Sequence, residues 1–157
     1  ENLGQSRAQE SNNTPPVIYS SLRNYSLAYC WKIKINETGK IPAFINVFPE
    51  LNHNEISGFI DPKKSGRDAA DRYSFLFLSD AEDDLRIQKR MEIISEMYTD
   101  CGLPVHKVEI TGENRLLRLF STILLADWTA YYLSKSEGVD PTAVPIQENF
   151  KKMLAGR

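Results

Sequence analysis

Polar and titratable side chains follow one another closely in the first third of the chain, directly after an apolar run. The apolar run ends at Pro49, and the next six residues are Glu50-Leu51-Asn52-His53-Asn54-Glu55. A core accommodates such side chains only at a high cost in desolvation, so we expect them where a strand ends beside a crevice. His53 is one of two histidines in the chain, and imidazole is the side chain best suited to exchange a proton near neutral pH.

The same stretch also fits the start of a helix. In this interpretation Asn52 caps the helix, and Glu55 lies three residues further on, where a carboxylate completes a capping box. His53 is then merely an exposed residue of the first turn. The spacing of the residues leaves both interpretations open.

Two serines follow the first predicted strand. Residues 17–19 are β-branched and aromatic, which is typical of a buried strand, and residues 22–36 have the mixed pattern of a helix. Ser20 and Ser21 lie between them, where hydroxyl groups and the N–H groups of a helix start can bind a phosphate. A serine in this position can equally cap the helix and bind no ligand.

Glu37 places its charge at the unfavourable end of this predicted helix. Residues 36–40 should end the helix, with Gly39 as the left-handed residue that stops it. Lys40 suits the negative end of the helix dipole, whereas the carboxylate of Glu37 does not. A charge that the local structure does not stabilise is a mild indication of function, although water screens most such charges.

Strands and helices alternate along the rest of the chain. The predicted strands cover residues 42–47, 73–78 and 105–110, and the predicted helices cover residues 81–98, 113–136 and 146–154. This alternation predicts an α/β fold, an open and mainly parallel sheet with helices on both faces. Ligands of such sheets bind beyond the carboxyl ends of the strands, where Ser20, Ser21 and the stretch around His53 are expected.

Three details of these elements bear on function. Ser79-Asp80 is expected to cap the helix 81–98, and the acidic residues that follow suit its positive end better than they suit a metal site. His106 falls on the polar phase of an alternating, edge-like strand and is expected to be solvated. The helix 113–136 is apolar on more than one side, which suggests that it packs on the sheet and on a partner.

The length and composition describe one globular domain. The chain has 157 residues, of which 41% are hydrophobic and 25% charged, and its net charge of −2 gives no sign of a nucleic-acid or membrane surface. Cys30 and Cys101 are expected to be reduced thiols in a cytoplasmic protein, with Cys30 buried. The polar residues 1–16 are expected to form a linker or the end of a preceding helix.

Several short motifs occur together in a family-like order and spacing. They are Val17-Ile18-Tyr19-Ser20-Ser21, Trp31-Lys32, Asn36-Glu37, Lys40-Ile41-Pro42-Ala43, Phe48 to Ile56, and Gly138-Val139-Asp140-Pro141-Thr142. Through these motifs, residues 17–154 resemble the C-terminal half of the bifunctional phosphoglucose/phosphomannose isomerases of bacteria and archaea. The resemblance implies a sugar isomerase (SIS) domain over residues 17–157, with a flavodoxin-like parallel sheet between two layers of helices. It also implies a first SIS domain, which this chain does not include, and a homodimer.

The resemblance further implies a reaction and roles for single residues. The reaction is aldose–ketose isomerisation of glucose 6-phosphate or mannose 6-phosphate to fructose 6-phosphate, through a cis-enediol and without a metal or organic cofactor. Glu37 matches the base that moves a proton between C1 and C2, and His53 matches a histidine that assists ring opening from the neighbouring subunit. Ser20, Ser21 and Asn52 are the candidate substrate contacts.

Two departures from the family pattern affect the remaining candidates. Some members carry a substrate-binding lysine on the last long helix, where this chain has Tyr132. Lys135 lies one turn further along the same face and is the candidate for that role, or else a solvated lysine at a helix end. Many members have a glycine after the first strand at the position of Ser20, so the phosphate contact predicted there is less well supported.

Two other functions are compatible with this fold. The chain could be a non-catalytic SIS domain that binds a sugar phosphate or only forms a dimer, because a fold does not fix a function. It could also be the isomerase domain of an amidotransferase, which predicts a lysine poised to form a Schiff base. No lysine here lies in such a motif, and a binding module has no need of Glu37 and His53 as an acid–base pair.

Overall fold

The apolar runs of the sequence form a sheet of four parallel strands in the described part of the chain. The structure is a computed structural model and describes residues 2–11, 14–60, 70 and 72–156. The strands are β1 (Pro16–Ser21), β2 (Phe44–Phe48), β3 (Ser74–Ser79) and β4 (Val105–Glu109). They lie in the order β2-β1-β3-β4, and all neighbouring strands are parallel. The predicted parallel α/β sheet is therefore confirmed.

Helices connect and flank these strands. Those described are α1 (Leu3–Ser11), α2 (Tyr25–Glu37), α3 (Leu51–Asn54), α4 (Ile56–Phe59), α5 (Leu85–Asp100), α6 (Arg115–Ser136) and α7 (Pro145–Ala155). A short 3₁₀ turn, Leu22–Asn24, joins β1 to α2. The first polar segment thus forms the helix α1, which packs on α6. None of the described helices is long and apolar enough to cross a bilayer.

The sheet separates two apolar clusters, one on each face. Successive side chains of a strand point to opposite faces, so Ile18 and Tyr19, both fully buried, belong to different clusters. The cluster around Ile18 contains Trp31 of α2 and Leu133 of α6. The cluster around Tyr19 contains Tyr98 of α5. Helices therefore cover both faces, as the sequence predicts.

The strand order creates a crevice between β1 and β3. The chain crosses from β1 outward to β2, and later adds β3 and β4 on the other side of β1. The helices that leave β1 and β3 consequently diverge to opposite faces at the carboxyl ends of these two strands. Ligands of open α/β sheets bind at such a switch point, so this crevice is where the fold alone would place a ligand.

Two predicted helix starts are wrong. Asp80 does not cap a helix: α5 begins at Leu85, and its cap is Asp84, whose carboxylate accepts a hydrogen bond from the N–H of Arg86. Asp80 is instead buried among arginine side chains, and these contacts hold it away from the helix. Asn52 does not cap α3 either, because that helix already begins at Leu51 and has no side-chain cap.

The end of α2 also differs from the prediction. The left-handed residue is Lys40, with a φ of 61°, and not Gly39. Glycine is required at position 39 for another reason, since a Cβ there would lie 2.6 Å from the carbonyl oxygen of Ile35. Lys40 tolerates its conformation because its amine binds two carbonyl groups, as described below.

Three further expectations change or remain open. His106 lies on the edge strand β4 but is not solvated: its Nδ1 is 3.5 Å from a carboxylate oxygen of Glu10 in α1, and burial lowers its pKa. Cys30 is only partly buried, because it lies at the margin of the α2 face that packs on the sheet. The turn-forming residues Asp61-Pro62 and Ser65-Gly66 also predict a loop over residues 58–71. Gly58 belongs instead to α4, and positions 61–69 and 71 lie outside the described residues.

Candidate functional site

Ser20 and Ser21 lie at the carboxyl end of β1, as predicted, and both are buried. The hydroxyl of Ser20 donates a hydrogen bond to the carbonyl of Ser21 at 3.0 Å. The hydroxyl of Ser21 donates to Asp83 at 2.8 Å and accepts from the N–H of Asn24 at 3.3 Å, so Ser21 caps the 3₁₀ turn. Both hydroxyl groups are therefore engaged within the chain.

Two buried carboxylates and three partly exposed arginines fill the crevice beside these serines. The side chain of Asp80 is fully buried, and its oxygens lie 3.0 Å from Arg115, 3.3 Å from Arg23 and 3.4 Å from Arg118. Asp83 is almost as deeply buried and contacts Arg23 at 3.8 Å. We call these five residues the switch-point network. It occupies the position in which a ligand would bind in an open crevice.

The charges of the switch-point network do not favour a phosphate. Burial raises the pKa of Asp83, and the neighbouring carboxylate of Asp80 raises it further, whereas the Ser21 hydrogen bond opposes this shift. A phosphate placed here would meet two carboxylates, and it would compete with them for the same arginines. The network therefore fills, with charges of the chain itself, the crevice in which open α/β sheets bind ligands.

Replacing Asp80 with asparagine should lower the free energy of unfolding by about 3 kcal/mol, because three arginines lose a buried carboxylate partner. Urea unfolding at pH 7 measures this change. Asp83→Asn is the matched control and should have a clearly smaller effect at pH 7. An Asp80→Asn effect no larger than that of the control would contradict the proposed importance of the arginine contacts.

The effect of Asp83→Asn on stability should also depend on pH. The pKa of Asp83 in the folded state is raised above the ordinary value of 3.8, so the ionised form of Asp83 opposes folding. The stability of the wild type relative to Asp83→Asn should therefore be highest below pH 3.8 and should fall as the pH rises above it.

A second hydrogen-bonded group fixes the stretch that follows β2. The carboxylate of Glu55 accepts a hydrogen bond from the hydroxyl of Tyr19 and another from the amide of Asn46, each at 2.6 Å. Leu51 of α3 is fully buried in the cluster around Tyr19. His53 lies between these two anchors and is exposed. The anchors hold the short helices against the sheet and present His53 to solvent.

The tyrosines of this group are deeply buried. Burial raises the pKa of Tyr19 far above its ordinary value, and burial also raises the pKa of Tyr98 to about 12. Both tyrosines are therefore neutral, and the hydroxyl of Tyr19 is available as the donor to Glu55. A hydrogen bond to a charged acceptor in a buried place is among the stronger ones.

Tyr19→Phe should lower the free energy of unfolding by about 1.5–3 kcal/mol, because the variant loses a hydrogen bond to a charged group. Tyr98→Phe is the control, since its hydroxyl approaches that of Tyr19 only at 3.4 Å. Urea unfolding of both variants measures the difference. An equal decrease in the free energy of unfolding for the two variants would show that the hydrogen bond from Tyr19 to Glu55 contributes no more than the contact between the two tyrosine hydroxyls.

Asn52 precedes His53 and is half-buried. Its Oδ1 is buried and has no hydrogen-bond partner within the described residues. A buried acceptor without a partner is unusual in a folded protein, so it calls for an explanation. An acceptor next to His53 could receive a hydrogen bond from a sugar hydroxyl.

Glu37 and Lys135 both lie toward the opposite end of the sheet. They are at the C-terminal ends of α2 and α6, two helices that pack side by side and are joined by an ion pair of 2.7 Å between Lys34 and Asp127. Both helices follow a strand and run back toward the amino ends of the strands. Glu37 and Lys135 are both exposed. Tyr132 is half-buried, and its hydroxyl accepts a hydrogen bond from Asn2.

Lys40 fastens the backbone around Glu37. Its Nζ donates to the carbonyl of Glu37 at 2.7 Å and to the carbonyl of Ala143 at 2.6 Å. These contacts close the end of α2 and tie it to the segment that follows α6. A shallow pocket of 500 Å³ lies alongside, lined by Lys32, Asn36, Lys40 and residues 41–44. Its size is sufficient for a small polar ligand.

One chain does not bring Glu37 and His53 together. Glu37 precedes β2 and His53 follows it, so the five residues of this strand lie between them along the sheet. A strand of this length spans about 16 Å, which is more than the reach of one small substrate. Within one subunit the two residues therefore face different ends of the domain.

The described residues include no group of three or more His, Cys, Asp or Glu side chains that could hold a metal ion. The polar groups of the candidate site are the exposed carboxylate of Glu37, the ammonium of Lys135, the imidazole of His53 and the amide of Asn52. These groups can transfer protons and bind hydroxyl groups. They are suited to acid–base chemistry on a sugar.

Residues 1–154 match the sequence-family model for the bacterial phospho-glucose isomerase C-terminal SIS domain. The chain is 31% identical over 139 residues to the bifunctional phosphoglucose/phosphomannose isomerase of Aquifex aeolicus, covering 88% of this chain and 42% of that protein. It is 37% identical over 144 residues to the enzyme of the same name from Caldicellulosiruptor bescii, covering 91% and 41%. The chain thus spans about two fifths of the length of these relatives.

Solved structures share the fold. A glucose-6-phosphate isomerase like protein from Thermus thermophilus superposes with a TM-score of 0.65 at 18% identity, over 88% of this chain and 44% of that chain. A glucosamine-6-phosphate deaminase from Thermotoga maritima superposes with a TM-score of 0.57 at 14% identity, over 88% and 41%. At this level of identity the similarity concerns the fold alone.

Proposed function

Since the chain belongs to the family of bacterial phosphoglucose isomerase C-terminal SIS domains, we propose that it is one half of a sugar-phosphate isomerase. The full-length protein, a cytoplasmic homodimer, interconverts glucose 6-phosphate or mannose 6-phosphate with fructose 6-phosphate. Its other half is a first SIS domain.

The observation that carries this proposal is the position of Glu37 and Lys135. An exposed carboxylate and an exposed ammonium lie at the C-terminal ends of two packed helices, and a shallow pocket lined by Asn36 and Lys40 adjoins the end of α2. Isomerisation requires a base and a positive charge near the two carbons that exchange a proton. The same pair of side chains supplies both requirements.

In the proposed reaction, the carboxylate of Glu37 removes a proton from C1 of fructose 6-phosphate. The electrons of the broken C–H bond form the C1–C2 double bond of a cis-enediolate, and negative charge moves to the oxygen on C2. The ammonium of Lys135 stabilises this charge. The proton of the C1 hydroxyl passes to the oxygen on C2, and Glu37 then returns its proton to C2, so that C1 becomes the aldehyde carbon and C2 carries a hydroxyl group.

His53 assists ring opening in the site of the other subunit. The separation of Glu37 from His53 within one chain supports this arrangement, because a partner must supply the histidine that one site requires. Asn52, with its unpartnered oxygen next to His53, binds a hydroxyl of the sugar. Ser20 and Ser21 stay predictions as substrate contacts, and Ser21 can make one only if it releases Asp83.

Deuterium exchange tests the reaction directly. The full-length protein is incubated with fructose 6-phosphate in D₂O, and proton NMR follows the signals of C1 and C2. We expect deuterium at these carbons together with glucose 6-phosphate or mannose 6-phosphate. Binding of the sugar phosphate without exchange would contradict the isomerase and favour a non-catalytic SIS domain.

A further inference from the structure

Two of the short motifs that carry the family resemblance have no part in the reaction described above. They are Lys40-Ile41-Pro42-Ala43, which follows α2, and Gly138-Val139-Asp140-Pro141-Thr142, which follows α6. The structure joins them, because the Nζ of Lys40 donates a hydrogen bond at 2.6 Å to the carbonyl of Ala143, directly after the second motif. The two residues are 103 positions apart in the sequence, so the contact fixes two distant segments relative to each other.

Lys40 also holds the end of α2. The last four carbonyl groups of a helix have no partner within the helix, and the carbonyl of Glu37 is one of them. The Nζ of Lys40 donates a hydrogen bond to it at 2.7 Å. One amine therefore binds the backbone of the proposed catalytic base and the backbone that leads into α7. We call these two hydrogen bonds the Lys40 clamp.

The backbone conformation of Lys40 indicates that its side chain is needed at this position. The φ of Lys40 is 61°, a left-handed conformation that is unfavourable for a residue with a Cβ. Glycine would adopt the same conformation without strain. Strain of this kind persists only where the surrounding contacts require it, and such residues are common near functional sites.

The amine of Lys40 is engaged by the protein itself. Two of its three N–H donors bind carbonyl groups at short distances. Hydrogen bonds from Thr142, together with the nearby charge of Lys40, lower the pKa of Asp140 in the second motif. Lys40 thus lines the pocket at the end of α2, but its contacts are with groups of the chain.

We propose that Lys40 is a positioning residue for Glu37, a role that rests on the proposed function. Proton transfer requires a carboxylate that is held close to C1 in one orientation, and a displacement of about 1 Å can lower the rate about 10²-fold. The last turn of a helix frays readily, because its carbonyl groups lack partners. The Lys40 clamp supplies a partner at Glu37 and ties this turn to the segment before α7, so the carboxylate is in place before the substrate binds.

Substitution of Lys40 in the full-length protein tests this role. Lys40→Met keeps a long side chain but removes its donors. We expect kcat for fructose 6-phosphate to fall about 10- to 10²-fold, while KM changes less than about 3-fold. Lys40→Arg keeps a long cationic donor and should restore most of the lost activity.

Lys34→Met is the matched control. Lys34 is also a lysine of α2 that holds this helix to α6, through an ion pair of 2.7 Å with Asp127, but it does not contact the backbone of Glu37. A partly exposed ion pair contributes little to stability, so kcat of this variant should stay within about 2-fold of the wild type. An equal loss of kcat in Lys34→Met and Lys40→Met would overturn the specific role of Lys40.

A double variant separates positioning from general destabilisation. If Lys40 acts through Glu37, adding Lys40→Met to Glu37→Gln should lower kcat by less than about 2-fold further, because the base is already absent. An independent structural effect would instead multiply with that of Glu37→Gln. Multiplication of the two effects, or a Lys40→Met variant with the kcat of the wild type, would overturn the proposal and leave Glu37 as the base.

Amide hydrogen exchange of the unliganded protein gives a readout that needs no turnover. Peptides that cover residues 34–39 and 142–148 should exchange at least about 10-fold faster in Lys40→Met than in the wild type, and at nearly the wild-type rate in Lys40→Arg. Unchanged exchange in Lys40→Met would overturn the proposal. Absence of turnover in the wild type would refute the proposed function and with it the positioning role, whereas faster exchange would still confirm the Lys40 clamp, so the two failures are distinguishable.

Discussion

Glu37→Gln in the full-length protein is expected to lower kcat for fructose 6-phosphate by several orders of magnitude while KM changes little. Glutamine keeps the shape of the side chain but cannot accept the proton from C1. A loss confined to kcat identifies an interaction that acts in the transition state. A coupled assay of turnover, with the formation of glucose 6-phosphate and mannose 6-phosphate followed separately, measures both constants.

Glu137→Gln is the matched control for this substitution. Glu137 is also an exposed carboxylate at the C-terminal end of a helix, α6, and it has no proposed role. Its kcat should stay close to that of the wild type. If Glu37→Gln retains full activity, the base lies elsewhere, and Glu50 and Glu55 are the next candidates in the stretch around His53.

His53→Gln is expected to lower kcat by about 10²- to 10⁴-fold, the usual range for loss of a general acid–base residue. The geometry adds a stronger test, because His53 and Glu37 of one chain face different ends of the domain. A mixture of His53→Gln and Glu37→Gln subunits should recover activity. In a mixed dimer one of the two sites has both native residues, so random mixing should restore about a quarter of the wild-type activity.

The comparison with each variant alone is the control for this recovery. Each parent should keep only its own reduced activity after the same dissociation and reassociation treatment. Absence of recovery in a mixture shown to contain mixed dimers would mean that both residues of a site come from one subunit. It would leave the role of Glu37 intact and reject the exchange of His53 between subunits.

The strands and their parallel arrangement were predictable because they depend on local patterns. The apolar run at Ser74–Ser79 and the alternation at Val105–Glu109 each determine the burial of one strand, and the switch between strand and helix patterns fixes their succession. The apolar outer side of α6, where Leu117, Phe120 and Leu124 are exposed, was visible in the same way. These features need no knowledge of which distant residues meet.

The switch-point network was not predictable in this way. The acidic residues after β3 could all be explained locally, because carboxylates are favourable at a helix N-terminus. In the structure only Asp84 caps the helix. Asp80 and Asp83 instead meet arginines that come from the segments after β1 and β4. The order of strands in the sheet brings these segments together, and a single local pattern does not contain that order.

The geometry of the candidate site was also not predictable from local sequence patterns. The types of Glu37 and His53 suggested proton transfer, and the resemblance assigned them roles. The strand predicted at residues 42–47 lies between them, and the arrangement of the sheet shows that it places them at different ends of the domain. Lys40 is held by the carbonyl of Ala143, a contact between segments that are far apart in the sequence. A local pattern does not contain such a contact, so it favoured Gly39 as the residue that ends the helix.

The filled crevice also has a consequence for the design of inhibitors. Anionic compounds that imitate a sugar phosphate are natural ligands for the carboxyl edge of an open α/β sheet. In this domain such a compound would have to displace Asp80 from three guanidinium groups before it gained any contact of its own. Selective chemistry should therefore be directed at the pocket beside Glu37, at the other end of the molecule.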